Sequence, residues 1–203
     1  MKAQSGKGSS VHRCVQTALL VMILVVLVIR GFGSAEEPVL KPAPMTDQQQ
    51  VDLVLEAMQI MAATENPGNL DALLARRGVN PRDLANSILA NAKEAKIDPL
   101  LLVVMAWIET RFNPKAVSDF INRPQEGKNC GLLQVRTDIP GRPSCEKMMN
   151  ADENLKWATA HLQELISGCG GELCLKKYNA GDYSDRVWRK LDWLQRKMQW
   201  RKV

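Results

Sequence analysis

The sequence predicts a mainly α-helical domain behind an N-terminal signal or anchor segment. Three observations carry that prediction. Apolar residues recur at helical spacing through most of residues 46–198, several of these runs open on a capping residue or a proline, and no run alternates cleanly as strands do. Apolar residues make up 45% and charged residues 24% of the 203, so the chain has the material for a folded core rather than a disordered coil. No internal repeat is visible.

The elements follow from local signals. Thr46 can cap a helix in which Val51, Val54, Leu55, Met58 and Met61 form one stripe, and Asn66-Pro67-Gly68 breaks it. A short helix over 70–77 ends at Gly78. Asn80-Pro81 is a cap followed by a first-turn proline, and Leu84, Ile88, Leu89 and Ala92 then keep the helical period. Asp98-Pro99 repeats that start, and the next helix is almost wholly apolar until Glu109, with Asn113-Pro114 as its stop. Residues 115–145 carry no strong helical pattern and predict a long loop with a small strand or hairpin near 132–135. Leu155, Ala158, Leu162, Leu165 and Ile166 restore the period. A last helix carries Val187, Trp188, Leu191, Leu194 and Met198 on one face and basic residues on the other.

Residues 1–35 contain four cations (Lys2, Lys7, Arg13, Arg30) and no acid, and residues 18–29 are an unbroken apolar run before Gly33-Ser34-Ala35. That is the layout of an export signal, with cleavage after Ala35, or of an uncleaved signal anchor. Residues 36–45 hold three prolines and read as a linker. The net charge of +5 suggests nucleic acid at first sight. Of the 27 basic residues, however, 23 remain outside the leader against 22 acids, so the body gives no case for phosphate-dominated binding. Cys14 lies in the leader. Cys130, Cys145, Cys169 and Cys174 can pair in three ways, and short loops favour Cys130 with Cys145 and Cys169 with Cys174. Disulfides fit an exported body. Zinc is disfavoured, because no CxxC spacing occurs and His12 and His161 are badly placed to assist. No cofactor is called for.

A helix apolar on all sides is buried, so Glu109 ends a rod inside the core. Desolvation and the negative pole of the helix both disfavour the charged carboxylate, which predicts a raised pKa and a carboxylic acid fit to protonate a glycosidic oxygen. The plain alternative is an exposed last-turn glutamate, paired with Arg111. Asp119 and Asp138 follow in the loop as the cheap candidates for a second acid, and both read better as solvated residues.

The neighbours tip the balance. Residues 109–118 (ETRFNPKAVS) resemble the ESxFNPxAxS segment of the soluble lytic transglycosylase family, which has a goose-type-lysozyme-like fold. Gly131-Leu132-Leu133-Gln134 is similar to its GLMQ, Asn154-Leu155 with Leu162 to its NIxxGxxYL, and Tyr178-Asn179-Ala180-Gly181 matches its YNAG. Four segments in family order are far more specific than any one of them. The resemblance implies a catalytic domain over 81–203, with 46–80 as an N-terminal helical extension. It implies cleavage of the β-1,4 bond between N-acetylmuramic acid and N-acetylglucosamine in peptidoglycan without water, leaving a 1,6-anhydro end. Glu109 matches the family's single acid/base. Gln134 matches a cleft residue that contacts the sugar, Tyr178 the tyrosine whose hydroxyl lies near the catalytic carboxyl, and Asn179 a position that binds substrate or caps a helix; Thr110 is expected at the substrate with them. Thr110 stands in place of the usual serine. For Gln134 the alternative is a loop amide that binds backbone, and for Tyr178 a core aromatic. Trp107 and Trp157 could flank sugar rings but stand where core residues are commoner.

Small size, export and cysteines near the motifs are similar to the specialised members that open the wall for secretion systems, pili or phage. The implied setting is the periplasm, with the protein soluble or held at the inner membrane by an uncut leader, and peptidoglycan glycan strands as partner. A lysozyme-like hydrolase on the same fold and a non-catalytic wall-binding assembly protein are the competing readings. A membrane-lytic role built on the apolar leader explains nothing after residue 45.

Overall fold

The computed structural model describes residues 44–64, 69–119, 128–169, 175–178 and 182–200, with backbone alone at 119, 169, 176, 177 and 200. The leader, most of the linker, Asn179, Gly181 and Cys174 lie outside them. The chain divides into two units, Met1–Pro44 and Met45–Val203, and the second carries the described elements.

The first helix, α1 (Asp47–Ala63), starts on Thr46. Its hydroxyl accepts from the Gln49 amide while the Gln49 side chain accepts from the Thr46 amide, so two orphan donors are satisfied reciprocally. A short α2 (Leu70–Ala75) is capped by Asn69, and α3 (Pro81–Ala95) by Asn80. Helix α4 (Pro99–Thr110) starts on Asp98, with proline in its first turn. All seven residues 101–107 are buried. The helix forms a central post, with α1 and α3 against it and α8 (Tyr183–Trp200) along another flank. Between them lie α5 (Cys145–Met148), the long α6 (Ala151–Cys169), which packs on α3, and the single turn α7 (Leu175–Tyr178). The mainly helical prediction holds. Residues 46–80, expected to precede the catalytic domain, share the compact unit and core of 81–200: Val54, Met58 and Met61 are fully buried with Leu102 and Leu194.

One small antiparallel sheet interrupts the helices. Strand β1 (Val117–Asp119) pairs with β2 (Lys128–Cys130), and β2 with β3 (Val135–Arg136). The hairpin expected near 132–135 is present, but shifted. Residues 131–134 are its turn, and only Val135 of that stretch is in a strand. Leu132 and Leu133 are apolar because the turn itself is buried.

Cys130 and Cys145 form a disulfide between the end of β2 and the start of α5. The second expected pair falls outside the described side chains. A 15-residue separation makes the bond worth about 2–3 kcal/mol, chiefly by restricting the unfolded chain. Cys130 directly precedes the buried turn. Replacing both cysteines by serine should therefore lower stability by about that amount in urea titration. An unchanged midpoint would show that packing alone holds the turn.

Candidate active site

Glu109 stands in the last turn of α4, with its Oε1 buried. The helix ends one residue later, at Thr110, before the predicted Asn113-Pro114 stop, because Arg111 and Phe112 turn left-handed (φ 57° and 62°). Left-handed backbone costs a side-chain-bearing residue about 1–2 kcal/mol. Phe112 offsets that cost by complete burial beside Trp107, at 5.3 Å between ring centroids. The Phe112 amide donates to the Ala106 carbonyl at 3.2 Å, and Arg111 Nη1 donates to those of Trp107 and Ile108 at 2.8 and 3.2 Å. Orphan carbonyls are thus filled, and a cation sits at the negative pole of the helix.

The turn 131–134, tied to the end of α4 through Thr110, is held from three sides. Gly131 adopts φ +82°, and a Cβ there would stand 1.9 Å from the Met148 carbonyl oxygen and 2.2 Å from Asn154 Nδ2. Asn154 is fully buried. Its Nδ2 donates to the carbonyls of Cys130 and Met148, and its Oδ1 accepts from the Leu133 amide at 2.8 Å. From α4, the Thr110 hydroxyl reaches the Leu132 carbonyl at 2.9 Å and its own Ala106 carbonyl at 3.1 Å, while accepting from the Asn113 amide. Thr110, expected at the sugar, therefore ties the Glu109 helix to the turn. Its hydroxyl has no donor capacity left over for a ligand.

Gln134 closes the turn at φ 51°. Its Nε2 donates to the carbonyls of Gly131 (2.9 Å) and Ala116 (3.3 Å), and its Oε1 accepts from the Ser118 hydroxyl. This is the loop-amide geometry. What Gln134 retains for a ligand is the second lone pair of Oε1.

Tyr178 donates its hydroxyl to the Leu133 carbonyl at 2.8 Å, so the same turn fixes the phenol. Its ring stacks on that of Tyr183 at 6.1 Å and lies 6.2 Å from the His161 ring. Burial pushes the Tyr178 phenol far up, the Glu109 carboxylate pushes the same way, and Arg142 opposes. Burial likewise raises Tyr183, and Glu109 adds to the shift both as a charge and as hydrogen-bond acceptor. The Tyr183 hydroxyl has no other hydrogen-bond partner among the described residues. Among the described residues, Glu109 is the carboxylate whose charge raises both phenols, while the Tyr178 hydroxyl itself points to the Leu133 carbonyl. Asp138 is held by Arg136 in a two-point pair at 2.7 and 2.8 Å, which lowers its pKa. Trp107 is core, and Trp157 lies under the Arg142 guanidinium at 4.8 Å.

Of the residues singled out in the sequence, the structure joins Thr110, Gln134 and Tyr178 through the turn, with Glu109 next to Thr110 on α4. Sequence reasoning passed over Tyr183 and left Asn154 without a role. The chain contains two tyrosines, five residues apart, and that was the available signal for Tyr183.

The same fact makes the site measurable, since tyrosinate absorbance in the native protein reports on these two residues alone. Their folded-state values lie above the ordinary 10.0. Their contribution to stability is therefore complete below that pH. It is lost above it, because the unfolded chain releases protons that the native chain keeps. Alkaline titration should show no phenolate signal as pH passes 10 until the fold opens, and then a cooperative rise. Two phenols ionising near their ordinary value in folded protein would contradict the described site.

No curated protein and no solved structure matches the chain. A family model does: residues 86–200 match the Transglycosylase SLT domain, which spans α4, the buried turn, Asn154 and both tyrosines. More than half of the sequence lies within that match, and the chain belongs to the SLT transglycosylase family.

Proposed function

We propose that the protein is an exported lytic transglycosylase. In this reading it cleaves the bond between N-acetylmuramic acid and N-acetylglucosamine without water and leaves 1,6-anhydro ends. Family membership makes peptidoglycan the substrate. The observation that supports the finer reading is electrostatic: among the described side chains the charge of one carboxyl, Glu109, acts on both phenols, while Asp138 is occupied by Arg136; the Asp119 side chain lies outside them. A two-carboxylate glycosidase needs a second acid at a set distance, and a one-carboxylate reaction does not.

The steps balance on Glu109 alone. Its proton passes to the glycosidic oxygen as the C1–O bond breaks. The muramyl 6-hydroxyl then bonds to C1 and returns its proton to the carboxylate, so the enzyme ends as it began. The Tyr183 hydroxyl, with no other hydrogen-bond partner among the described residues, is available to the carboxylate during the step between, when it carries charge beside an oxocarbenium-like sugar; the Tyr178 hydroxyl is taken by the Leu133 carbonyl. Export into the periplasm rests on the leader and the disulfide.

Mass spectrometry of digested peptidoglycan decides between this reading and the hydrolase. Transglycosylation yields muropeptides lighter by one water than hydrolysis does. The Asp138→Asn variant should release them at the parental rate. Reducing ends, or loss of turnover in that variant, would favour the hydrolase.

A further inference from the structure

A cavity of about 440 Å³ opens between the end of α4 and the first half of α8. Four cations, Arg111, Arg186, Arg189 and Lys190, and two indoles, Trp107 and Trp193, line it, and no acid does. Glu109 does not line it. Trp107 precedes Glu109 by two residues, roughly 200° round the helix, so the cavity lies behind the post that carries the carboxyl. Helix α8 serves both places: Tyr183 faces Glu109, and the cavity begins one turn further on with Arg186.

The lining states what it would hold. Arg186 makes a long pair with Asp182 at 3.5 Å across an exposed turn. Arg189 binds the Asp185 backbone carbonyl, and Lys190 lies over the Trp193 ring at 4.5 Å. Neither has a carboxylate partner among the described residues. Guanidinium forks suit planar carboxylates, and the indole walls suit short aliphatic groups beside them. A bilayer is a poor match, because Trp107 is only 4% exposed and cannot reach into lipid. A concave site of this size takes a discrete anionic segment. In peptidoglycan the carboxylates and alanines belong to the stem peptides. We propose that this cavity is a second wall-binding site that takes a stem-peptide carboxylate from a strand beside the one being cleaved. The choice of occupant rests on the peptidoglycan reading above.

The test uses the full chain and a synthetic L-alanyl-γ-D-glutamyl-diaminopimelyl-D-alanine peptide. Binding is followed by tryptophan fluorescence and calorimetry. The peptide should bind saturably, more weakly with added salt, and equally well to Glu109→Gln. The double variant Arg189→Ala with Lys190→Ala should weaken it roughly tenfold or more, and amidating the peptide carboxylates should do the same. Absence of binding, or equal binding by the double variant, overturns the site. So does binding of phosphatidylglycerol vesicles with none of the peptide. Anhydro products without peptide binding would sink the site and leave the reaction standing, whereas peptide binding with hydrolysed products would do the reverse.

Discussion

Glu109→Gln should lower turnover on purified peptidoglycan by roughly 10³- to 10⁴-fold while leaving the fold intact, since general acid–base catalysis is worth up to about that factor and one group here serves both steps. That loss corresponds to about 4–5.5 kcal/mol of transition-state stabilisation. The amide keeps the shape of the carboxyl, so the thermal midpoint should stay close to the parent's. Removal of the carboxylate charge also removes one of the influences that raise both phenols. Tyrosinate formation in Glu109→Gln should therefore begin at lower pH than in the parent. A variant with parental activity would show that another group donates the proton. Unchanged tyrosine titration would show that the carboxyl does not face the phenols.

Gly131→Ala should be the most damaging change away from the carboxyl. Alanine at φ +82° carries a left-handed penalty of about 1–2 kcal/mol. Its Cβ also meets a backbone oxygen at 1.9 Å and the Asn154 amide at 2.2 Å, and overpacking of that kind adds about 1–3 kcal/mol. Neither neighbour can yield cheaply, because Asn154 is fully buried and holds Cys130, Met148 and Leu133. A total loss of about 2–5 kcal/mol is expected, read as a fall in the urea midpoint. Activity should fall further than stability requires, because the Leu133 carbonyl that fixes Tyr178 belongs to the displaced turn. Asn154→Ala serves as the partner measurement: it removes the same clamp without straining the glycine. A Gly131→Ala protein with parental stability and activity would mean that the turn is not the frame of the site.

The post and its carboxyl were legible in the sequence because their causes are local. Asp98-Pro99 marks the start, the apolar run marks burial, and Glu109 is the first charge after it. The turn was harder to see. Leu132, Leu133 and Val135 suggest a short strand, yet residues 132–134 curve because Gly131 is left-handed and Asn154 reaches in from α6, more than twenty positions along the chain. No local pattern encodes a partner at that distance. Thr110 and Gln134 were expected at the sugar; their hydrogen bonds run to backbone carbonyls, which spacing cannot foretell. Tyr183 was missed for a related reason: its aim depends on how α7 and α8 meet, not on its place in the helical stripe.

Product chemistry tests the central claim, that one carboxyl acts without water, most directly. Peptidoglycan digested by the full chain in heavy-oxygen water should give 1,6-anhydro muropeptides that carry no heavy oxygen at C1, because the oxygen there comes from the sugar's own 6-hydroxyl. Heavy oxygen incorporated at C1 of the new ends would contradict the account and make the protein a hydrolase on the same fold.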